Sequence, residues 1–448
     1  MPGTPFYLQL KQRIARGEWA AGQRLPSVRQ LVASAGVSYH QVVSACGRLV
    51  SEGLLDAQQG RGYFVTPLGV AAAPRPVPPS GLNDPLFKLL QAGPGSVPLG
   101  GGWLPAAWRD SALLARAIRR TARLEPGSLG DYGDIAGYLP LRQQLCNHLR
   151  RLARLDLPAS QVLTTLGATQ ALDLVLRLLV QPGDVVLVDE PGNGNLIKLI
   201  QLAGAQVLGV PRTQLGPDTQ ALQQLARQHK IKAFVCNSTL HNPTGGSLSP
   251  RTAFELVRLA GEHGFWLIED DVYGDFCLGP RQTLAELDHL ERVIYIGSFS
   301  KSLSASLRVG FIACAAELIE PLTRLKLLTS VAVPGFCERF TNTILSDGTY
   351  RSHIQHIQQQ LLTRQAHTQR QLKALGWAFD IQPEGGMFLW VHHPERPNLA
   401  RFIQALGQRR ILLMPGTAFA VDQPCAHLTR LNCAHFSEEV AAAFAAAP

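Results

Sequence analysis

Apolar residues at the start of the chain recur with a helical spacing that predicts three short helices and a hairpin. Phe6, Leu10 and Ile14 stand four positions apart and therefore share one face of a first helix. Ser27 and Ser38 each precede a further helical pattern and are suitable N-caps, with the third helix running to about residue 52. Two short apolar runs around a glycine-rich turn follow, which predict a hairpin.

This arrangement predicts a winged helix-turn-helix over residues 1–66, in which the third helix enters the major groove of DNA and the hairpin follows the backbone. The first 80 residues hold eight basic and three acidic side chains, which is more than half of the chain's net charge of +9. Double-stranded DNA is the expected partner, because basic groups neutralise phosphates whatever the sequence. The residues expected to contact DNA are Arg24, Arg29, Ser38, Tyr39, His40, Gln41, Arg48, Gly60 and Arg61.

The next segment, residues 67–81, is rich in proline and alanine and nearly free of charge. Proline favours an extended, semi-rigid chain, so this segment is expected to link two domains. From residue 82 to residue 448, short apolar runs such as 185–188 and 233–236 alternate with helical stretches. That alternation predicts one large α/β unit.

The motif at residues 298–310 places one lysine among hydroxyl donors and an arginine. A lysine amine that is held in place and partly deprotonated attacks an aldehyde, and a phosphate needs a planar cation with several short donors. Lys301 and Arg308 therefore predict a site for a phosphorylated aldehyde bound as a Schiff base. A solvated serine-rich loop is the alternative interpretation of this motif taken alone.

Three other segments support the same chemistry. Small residues at 167–169 stand between a strand pattern and a helix, where free backbone N–H groups receive phosphate oxygens. Asn242 lies just before a proline, and a buried strand pattern ends in Asp270, with Tyr273 shortly after it. An aspartate keeps a pyridine nitrogen protonated, while an amide and a phenol bind the ring oxygen. Each residue alone also fits an ordinary cap or turn, but the order of the segments favours a pyridoxal site.

On these motifs, the chain from about residue 80 to its end resembles the fold-type I aminotransferases that use pyridoxal 5'-phosphate (PLP). The resemblance implies a mostly parallel central sheet and a smaller C-terminal α/β subdomain from about residue 335. It implies that Lys301 forms the aldimine with PLP and that Asp270 binds the pyridine nitrogen. Asn242 and Tyr273 are implied to bind the ring oxygen. The residues implied to line the phosphate site are Gly167, Ala168, Thr169, Ser298, Ser300 and Arg308.

Three further positions matter to this resemblance. Tyr132 matches a tyrosine that in the family reaches the phosphate of the neighbouring subunit, which implies a homodimer. Arg430 matches the arginine that binds the α-carboxylate of an amino acid, where a planar fork meets a planar anion. Asn193 departs from the pattern, because the family usually carries there an aromatic residue that stacks on the cofactor ring. Either another ring takes over the stacking or the cofactor is held less firmly.

The N-terminal motifs at residues 24–29 and 60–65 resemble the GntR family of bacterial regulators. Position 39, often arginine in that family, is tyrosine here, so no base preference is implied. With both parts in this order the chain resembles a MocR-type GntR regulator, which implies a transcription regulator that senses PLP or an amine ligand through Lys301. The alternative is an active PLP-dependent aminotransferase that acts on an amino acid and carries a dispensable DNA-binding module.

Other classes of protein are disfavoured by what the sequence lacks. It contains no apolar run of 18 residues and no signal peptide, so a cytoplasmic protein without a membrane partner is expected. The eight cysteines show no C-x-x-C spacing, which predicts reduced, buried thiols. His353 and His356 share a helix face but lack nearby carboxylate or thiolate partners, so no metal site is expected.

Overall fold

The computed structural model describes residues 6–66, 84–109, 111–124, 132–279, 281–422 and 425–448. The chain divides into two compact units, Met1–Leu82 and Asn83–Pro448, which are described separately. The expected linker at residues 67–81 lies outside the described residues.

The N-terminal unit contains the three helices and the hairpin that the sequence predicts. Its elements are α1 (Phe6–Ala15), α2 (Val28–Ala35), α3 (Tyr39–Ser51), β1 (Leu55–Gln58) and β2 (Gly62–Val65). Ser27 and Ser38 cap α2 and α3, and each forms a reciprocal capping box with a glutamine three residues later. Between these helices, Gly36 takes the left-handed backbone conformation that ends α2 and turns the chain into α3.

The core of this unit draws on all three helices and on both strands. Leu10, Leu31 and Leu49 from the three helices are almost completely buried, and Leu55 and Val65 of the hairpin close the same cluster. Because one apolar cluster joins every element, the hairpin is held firmly against α3.

The C-terminal unit alternates strands and helices over most of its length. Its elements are α4 (Pro85–Leu90), α5 (Ser111–Leu124), α6 (Leu139–Ala153), β3 (Val162–Thr165), α7 (Ala168–Leu179), β4 (Val185–Glu190), α8 (Gly194–Leu202), β5 (Gln206–Thr213), β6 (Gly216–Pro217), α9 (Thr219–Gln228), β7 (Ile231–Cys236), α10 (Pro250–His263), β8 (Trp266–Asp270), α11 (Leu284–Asp288), β9 (Val293–Ser298), β10 (Gly310–Ala313), α12 (Ala316–Ser330), α13 (Gly335–Ser346), α14 (Thr349–Ala374), β11 (Ala378–Phe379), β12 (Phe388–His392), α15 (Ala400–Gln408), β13 (Met414–Pro415), β14 (Leu428–Asn432) and α16 (Glu438–Ala445).

Eight of these strands form a central sheet in the order β3-β10-β9-β8-β7-β4-β5-β6. The strands from β9 to β5 in that order are parallel, whereas β10 pairs antiparallel with both β3 and β9, and β6 pairs antiparallel with β5. Alternate residues of the central strands enter two different apolar clusters, so Leu187 and Phe234 pack on one face while Val188 and Val235 pack on the other. The expected mostly parallel sheet is confirmed.

A smaller antiparallel sheet, in the order β11-β12-β14-β13, stands near the C-terminus. The backbone N–H of Val97 donates to the carbonyl oxygen of Arg410 at 2.8 Å, and that of Gly100 donates to Leu412 at 2.7 Å. The segment that follows α4 is therefore hydrogen-bonded to residues 410–412, just before β13. It joins the smaller subdomain although more than 300 residues separate the two segments in sequence.

Three further predictions concern the cysteines, a pair of histidines and membrane-spanning helices. All eight cysteines are free, and six are buried, whereas Cys277, which lines a cavity, and Cys337, in the first turn of α13, are partly exposed. His353 is buried with Nε2 2.9 Å from the carbonyl oxygen of Ser302, whereas His356 is exposed on α14. Among the described helices, none combines the length and the apolar character needed to cross a bilayer.

Candidate functional site

The candidate site lies at the carboxyl ends of β7, β8 and β9. In a parallel sheet these ends meet at one edge, so the residues that follow the strands are brought together although they are far apart in sequence. They border a cavity of about 520 Å³. The sequence-predicted residues that line it are Ala168, Thr169, Asn242, Asp270, Tyr273, Ser300, Lys301, Arg308 and Arg430.

Lys301 follows β9 closely and lines the cavity. Burial, helped by the nearby cations Arg430 and Arg308, lowers the pKa of its amine to about 8, while Asp270 acts in the opposite direction. A larger share of the amine is therefore uncharged near neutral pH than in a free lysine, and the uncharged amine is the state that attacks a carbonyl.

Asp270 ends β8 and is almost completely buried. Burial raises the pKa of its carboxyl to about 6, and hydrogen bonds from Asn237 and from the backbone of Val272 oppose that change. A cationic group beside Asp270 would therefore be favoured, because it would stabilise the ionised form of this carboxyl. A protonated ring nitrogen is such a group.

Arg430, from β14, reaches the same cavity from the smaller sheet. Its Nη1 donates to Oδ1 of Asn242 at 2.6 Å, and its Nη2 donates to the carbonyl oxygen of Gly100. The guanidinium lies near the rings of Phe388 and Phe419, at 4.5 and 4.8 Å from their centres. Burial lowers its pKa to about 10, so the group remains charged at neutral pH, and its Nε has no partner in the described chain.

The other end of the cavity has the features of an anion site. Helix α7 begins at Ala168 after Gly167, which offers no side-chain cap, so the first backbone N–H groups are free for a ligand. Arg308 is held beside this terminus because its Nη2 donates to the carbonyl oxygen of Leu166 at 2.9 Å. A Cβ added to Gly167 would lie 2.9 Å from that same Nη2, so only glycine leaves the arginine in place.

Three predicted residues, Gly167, Ser298 and Tyr132, do not border the cavity themselves. The Ser298 hydroxyl is 3.1 Å from that of Ser300 and accepts a hydrogen bond from the backbone N–H of Ser300 at 3.2 Å. Ser298 therefore orients Ser300. Tyr132 is 87% exposed and stands outside the lining of this chain's own cavity.

Several cavity residues were not anticipated from the sequence. Trp103 and Phe419 bring aromatic rings to the cavity. Asn193 also lines it, but its side chain caps α8 and supplies no ring. A Cβ added to Gly102 would lie 3.7 Å from both Lys301 Nζ and the Tyr273 hydroxyl. The three consecutive glycines ahead of Trp103 were the available signal, because such a run is typical of close backbone approach.

An ion pair forms part of the rim of the cavity. Asp84 caps α4 and pairs with Lys198 of α8, and both residues line the cavity together with Leu86 and Leu90. The first described residues after the expected linker thus contribute to the cavity wall. No sequence pattern connected Asp84 with Lys198, which are more than 100 positions apart.

In the N-terminal unit, the residues predicted to contact DNA differ in whether their side chains already have partners inside the unit. Arg24, Arg29 and Arg61 are exposed and have no carboxylate partner among the described residues. Gly60 has a left-handed backbone and lies in the turn of the hairpin. Tyr39 stands out as 62% exposed. These positions are open to a ligand.

Three other predicted contacts already have partners inside the unit. Ser38 and Gln41 bond to each other, with the Gln41 Oε1 accepting from the Ser38 backbone at 2.9 Å. Arg48 lies over the ring of Tyr7 at 3.9 Å and pairs with Glu52 at 3.4 Å. Their contact with DNA stays a prediction, and each would have to share or exchange these bonds.

Comparison with known proteins assigns both units. Residues 96–447 match the family model "Aminotransferase class I and II", and residues 6–65 match "Bacterial regulatory proteins, gntR family". The chain is 29% identical to the uncharacterised HTH-type transcriptional regulator YisV of Bacillus subtilis, over 92% of this chain and 89% of that one. It is 27% identical to the HTH-type pyridoxine biosynthesis transcriptional regulator PdxR of Corynebacterium glutamicum, over 79% of this chain and 75% of PdxR.

The fold of the larger unit also has solved counterparts. One is LysN, the α-aminoadipate aminotransferase of Thermus thermophilus, crystallised with N-(5'-phosphopyridoxyl)-L-leucine. It is 24% identical and superposes with a TM-score of 0.74 over 81% of this chain and 92% of LysN. The likeness supports the fold-type I architecture expected from the sequence.

The family implies PLP as the cofactor, and the cavity fits that group. It offers an amine of lowered pKa, a buried carboxyl that favours a cationic partner, and an uncapped helix start beside an arginine, which suit the aldehyde, the ring nitrogen and the phosphate. The chain therefore belongs to the aminotransferase class I and II family, with a helix-turn-helix domain of the gntR family of bacterial regulatory proteins at its N-terminus.

Proposed function

We propose that this protein is a transcription regulator that binds operator DNA as a homodimer and senses PLP or an amine ligand through Lys301. The observation that carries the proposal is that one chain holds both an exposed basic helix-turn-helix and a cavity that gathers nine of the predicted cofactor and ligand residues. A regulator of genes works where the DNA is, so the cytoplasm is its proposed location.

Each end of the cavity has a separate task in this proposal. When bound, PLP supplies an electrophilic aldehyde and an electron-withdrawing ring. Lys301 supplies the amine that attaches it, and Asp270 holds a proton at the ring nitrogen. Ser300 and Arg308, with the start of α7, hold the phosphate.

Arg430 gives the cavity a way to respond to a second ligand. In the chain as described, its two terminal nitrogens are bonded to Asn242 and to the backbone of Gly100. A ligand carboxylate would take over part of this bonding, because a bidentate pair with a carboxylate is stronger than neutral hydrogen bonds. An amino acid, whose amine would reach towards Lys301, has the matching chemistry.

The bond from Arg430 to Gly100 also offers a path from the cavity to the linker. Gly100 belongs to the segment that follows α4, and α4 begins one residue after Asp84 of the cavity rim. A ligand that changes the partners of Arg430 therefore acts on the first stretch of chain after residues 67–81. Coupling requires that the ligand states differ in their affinity for DNA.

The exposed Tyr132 supports the homodimer. A tyrosine that is 87% exposed, outside its own cavity, has its ring available to a second copy of the chain. Sedimentation and PLP titration of the wild type and of Tyr132→Ala test this. A PLP affinity that falls in the variant while the dimer persists supports a contact across the subunits, and an unchanged affinity contradicts it.

Two binding assays test the proposed function. Borohydride reduction of the PLP-treated protein should fix the cofactor to Lys301, with no labelled peptide from Lys301→Ala. Fluorescence anisotropy should show that binding to the DNA upstream of the protein's own gene survives a tenfold excess of scrambled competitor. Label at another lysine, or binding that the competitor removes, would contradict the proposal.

A working aminotransferase is the second candidate, and one observation favours it. Lys301, Asp270 and Arg430 all line one cavity, so the groups that would bind PLP and an amino acid are together. Absorbance of the PLP-loaded protein after addition of single amino acids would detect conversion to the amine form of the cofactor. Rapid, complete conversion with release of a keto acid supports the enzyme, and a stable spectrum supports the regulator.

A further inference from the structure

The outward face of α3 carries an unusual set of side chains. Tyr39, Val43 and Gly47 stand four positions apart and form one stripe along the helix. Tyr39 is 62% exposed and Val43 is 36% exposed, whereas Val42, on the inner face, is completely buried. Apart from the Tyr39 hydroxyl, this stripe carries no polar side-chain group, although it faces away from the core of the unit.

The polar residues beside this stripe are partly committed to the unit itself. Ser38 donates its hydroxyl to Gln41 Oε1 at 3.0 Å and accepts from the Gln41 backbone at 3.3 Å. Arg48 lies over the ring of Tyr7. A surface that reads bases through α3 thus has Tyr39 and Val43 among its freest members.

Gly47 provides an independent observation. A glycine inside a helix costs about 1 kcal/mol relative to alanine. A Cβ added at Gly47 would meet no atom within 4 Å, so no packing contact in the described chain calls for glycine. At this exposed position on α3, the missing side chain leaves room for a surface that approaches the helix backbone from outside.

We infer that Tyr39, Val43 and Gly47 form the part of α3 that reads thymine. This inference rests on the proposed DNA binding and makes it more specific. Thymine alone presents a methyl group on its base edge in the major groove, so an apolar stripe on the inserted helix favours it. Val43 and Tyr39 contact the methyl groups, and Gly47 lets the helix backbone approach the duplex.

The first test removes the methyl groups. Operator duplexes selected by the purified full-length protein are resynthesised with deoxyuridine in place of each thymine in turn, and binding is measured by anisotropy at fixed salt. We expect about fourfold weaker binding for each contacted methyl, the effect of losing one buried methyl group. In Val43→Ala one of those positions should become insensitive, and Val43→Thr, which keeps one methyl, should retain part of the effect.

The second test uses opposite effects on stability and binding. Gly47→Ala should raise the melting temperature of the N-terminal unit and weaken operator binding by about tenfold or more. Gly261→Ala is the matched control, since Gly261 also lies in a helix with open space around it but belongs to the other unit. It should leave operator binding unchanged.

The outcomes separate this inference from the proposed function. If no DNA is selected at all, the proposed DNA binding fails. If DNA is selected but deoxyuridine has no effect at any position and Gly47→Ala binds as the wild type does, only the thymine-reading stripe is overturned. If Gly47→Ala changes the oligomeric state without changing DNA affinity, the stripe is a protein interface and the inference is equally overturned.

Discussion

Burial shifts the pKa of two cavity residues in the direction that favours the uncharged form of each. The pKa of Lys301 is lowered to about 8 and that of Asp270 is raised to about 6, so the charged forms of both are disfavoured before a ligand arrives. Ligand binding then supplies favourable partners to groups that the fold alone leaves poorly compensated. Residues shaped for a ligand commonly lower the stability of the empty protein for this reason.

Asp270→Asn should stabilise the ligand-free protein at pH 8. The raised pKa means that the folded protein holds the proton more tightly than the unfolded chain, so the wild type loses stability as pH rises from the ordinary value of 3.8 through about 6. Asparagine removes that loss, by about 1 to 3 kcal/mol at pH 8 and by much less at pH 4. Thermal unfolding at both pH values measures it, and an equal effect at both would contradict the burial argument.

The rate at which the ligand-free protein captures PLP should rise with pH around a midpoint near 8. The reason is that the uncharged amine of Lys301 is the attacking form and its pKa is lowered to about 8. Stopped-flow absorbance across a pH range that spans this midpoint by about 1.5 pH units on either side gives the profile. A rate that still climbs steeply at the alkaline end, as for an ordinary lysine, would show that the cavity does not lower this pKa.

Helix caps decide where α3, the helix proposed to read DNA, starts. Ser38 closes α3 through a reciprocal bond with Gln41, which fixes the first turn that carries Tyr39 and His40. Ser38→Ala should cost about 1 kcal/mol of stability in the N-terminal unit. Ser44→Ala, at an exposed position inside the same helix, is the control, and calorimetry measures both. Equal losses would mean that the cap contributes nothing.

The sequence predicted helices and strands well where the signal came from neighbouring residues in the chain. Apolar spacing and caps located α1 to α3, and the strand before Asp270 and the helix after Gly167 lie where they were expected. The order of strands in the sheet was not predictable from spacing, because it depends on pairings between distant segments. The contact of Arg430 with Gly100 was missed for the same reason, since 330 positions separate them.

The sequence indicated Ser38 as a helix cap but not how far the other predicted DNA contacts are engaged by neighbouring side chains. Ser38 and Gln41 were predicted as DNA contacts because they are polar residues at the start of α3, but their side chains bond each other. Arg48 looked free, yet Tyr7 and Glu52 both contact it. Which partner a polar side chain takes depends on three-dimensional neighbours that composition does not reveal.

For the whole molecule, charge should control DNA affinity through salt. Arg24, Arg29 and Arg61 are exposed without carboxylate partners in the described part of the chain. Affinity falls as salt rises, and each alanine variant should make the plot of log affinity against log salt less steep by about 1. Arg48→Ala should change the slope less, because its guanidinium is engaged inside the unit. Anisotropy titrations over a series of salt concentrations give the slopes, and equal slopes for all variants would contradict the phosphate contacts.

The proposed function requires that the state of the cofactor cavity changes the affinity of the protein for DNA. The most direct test measures the affinity of the wild type and of Lys301→Ala for the upstream DNA, with and without PLP at one fixed salt concentration. We expect PLP to change the wild-type affinity by about fivefold or more, a typical allosteric coupling, and to leave the affinity of Lys301→Ala unchanged. A wild type that carries PLP, shown by its absorbance, yet binds the DNA with unaltered affinity would contradict it.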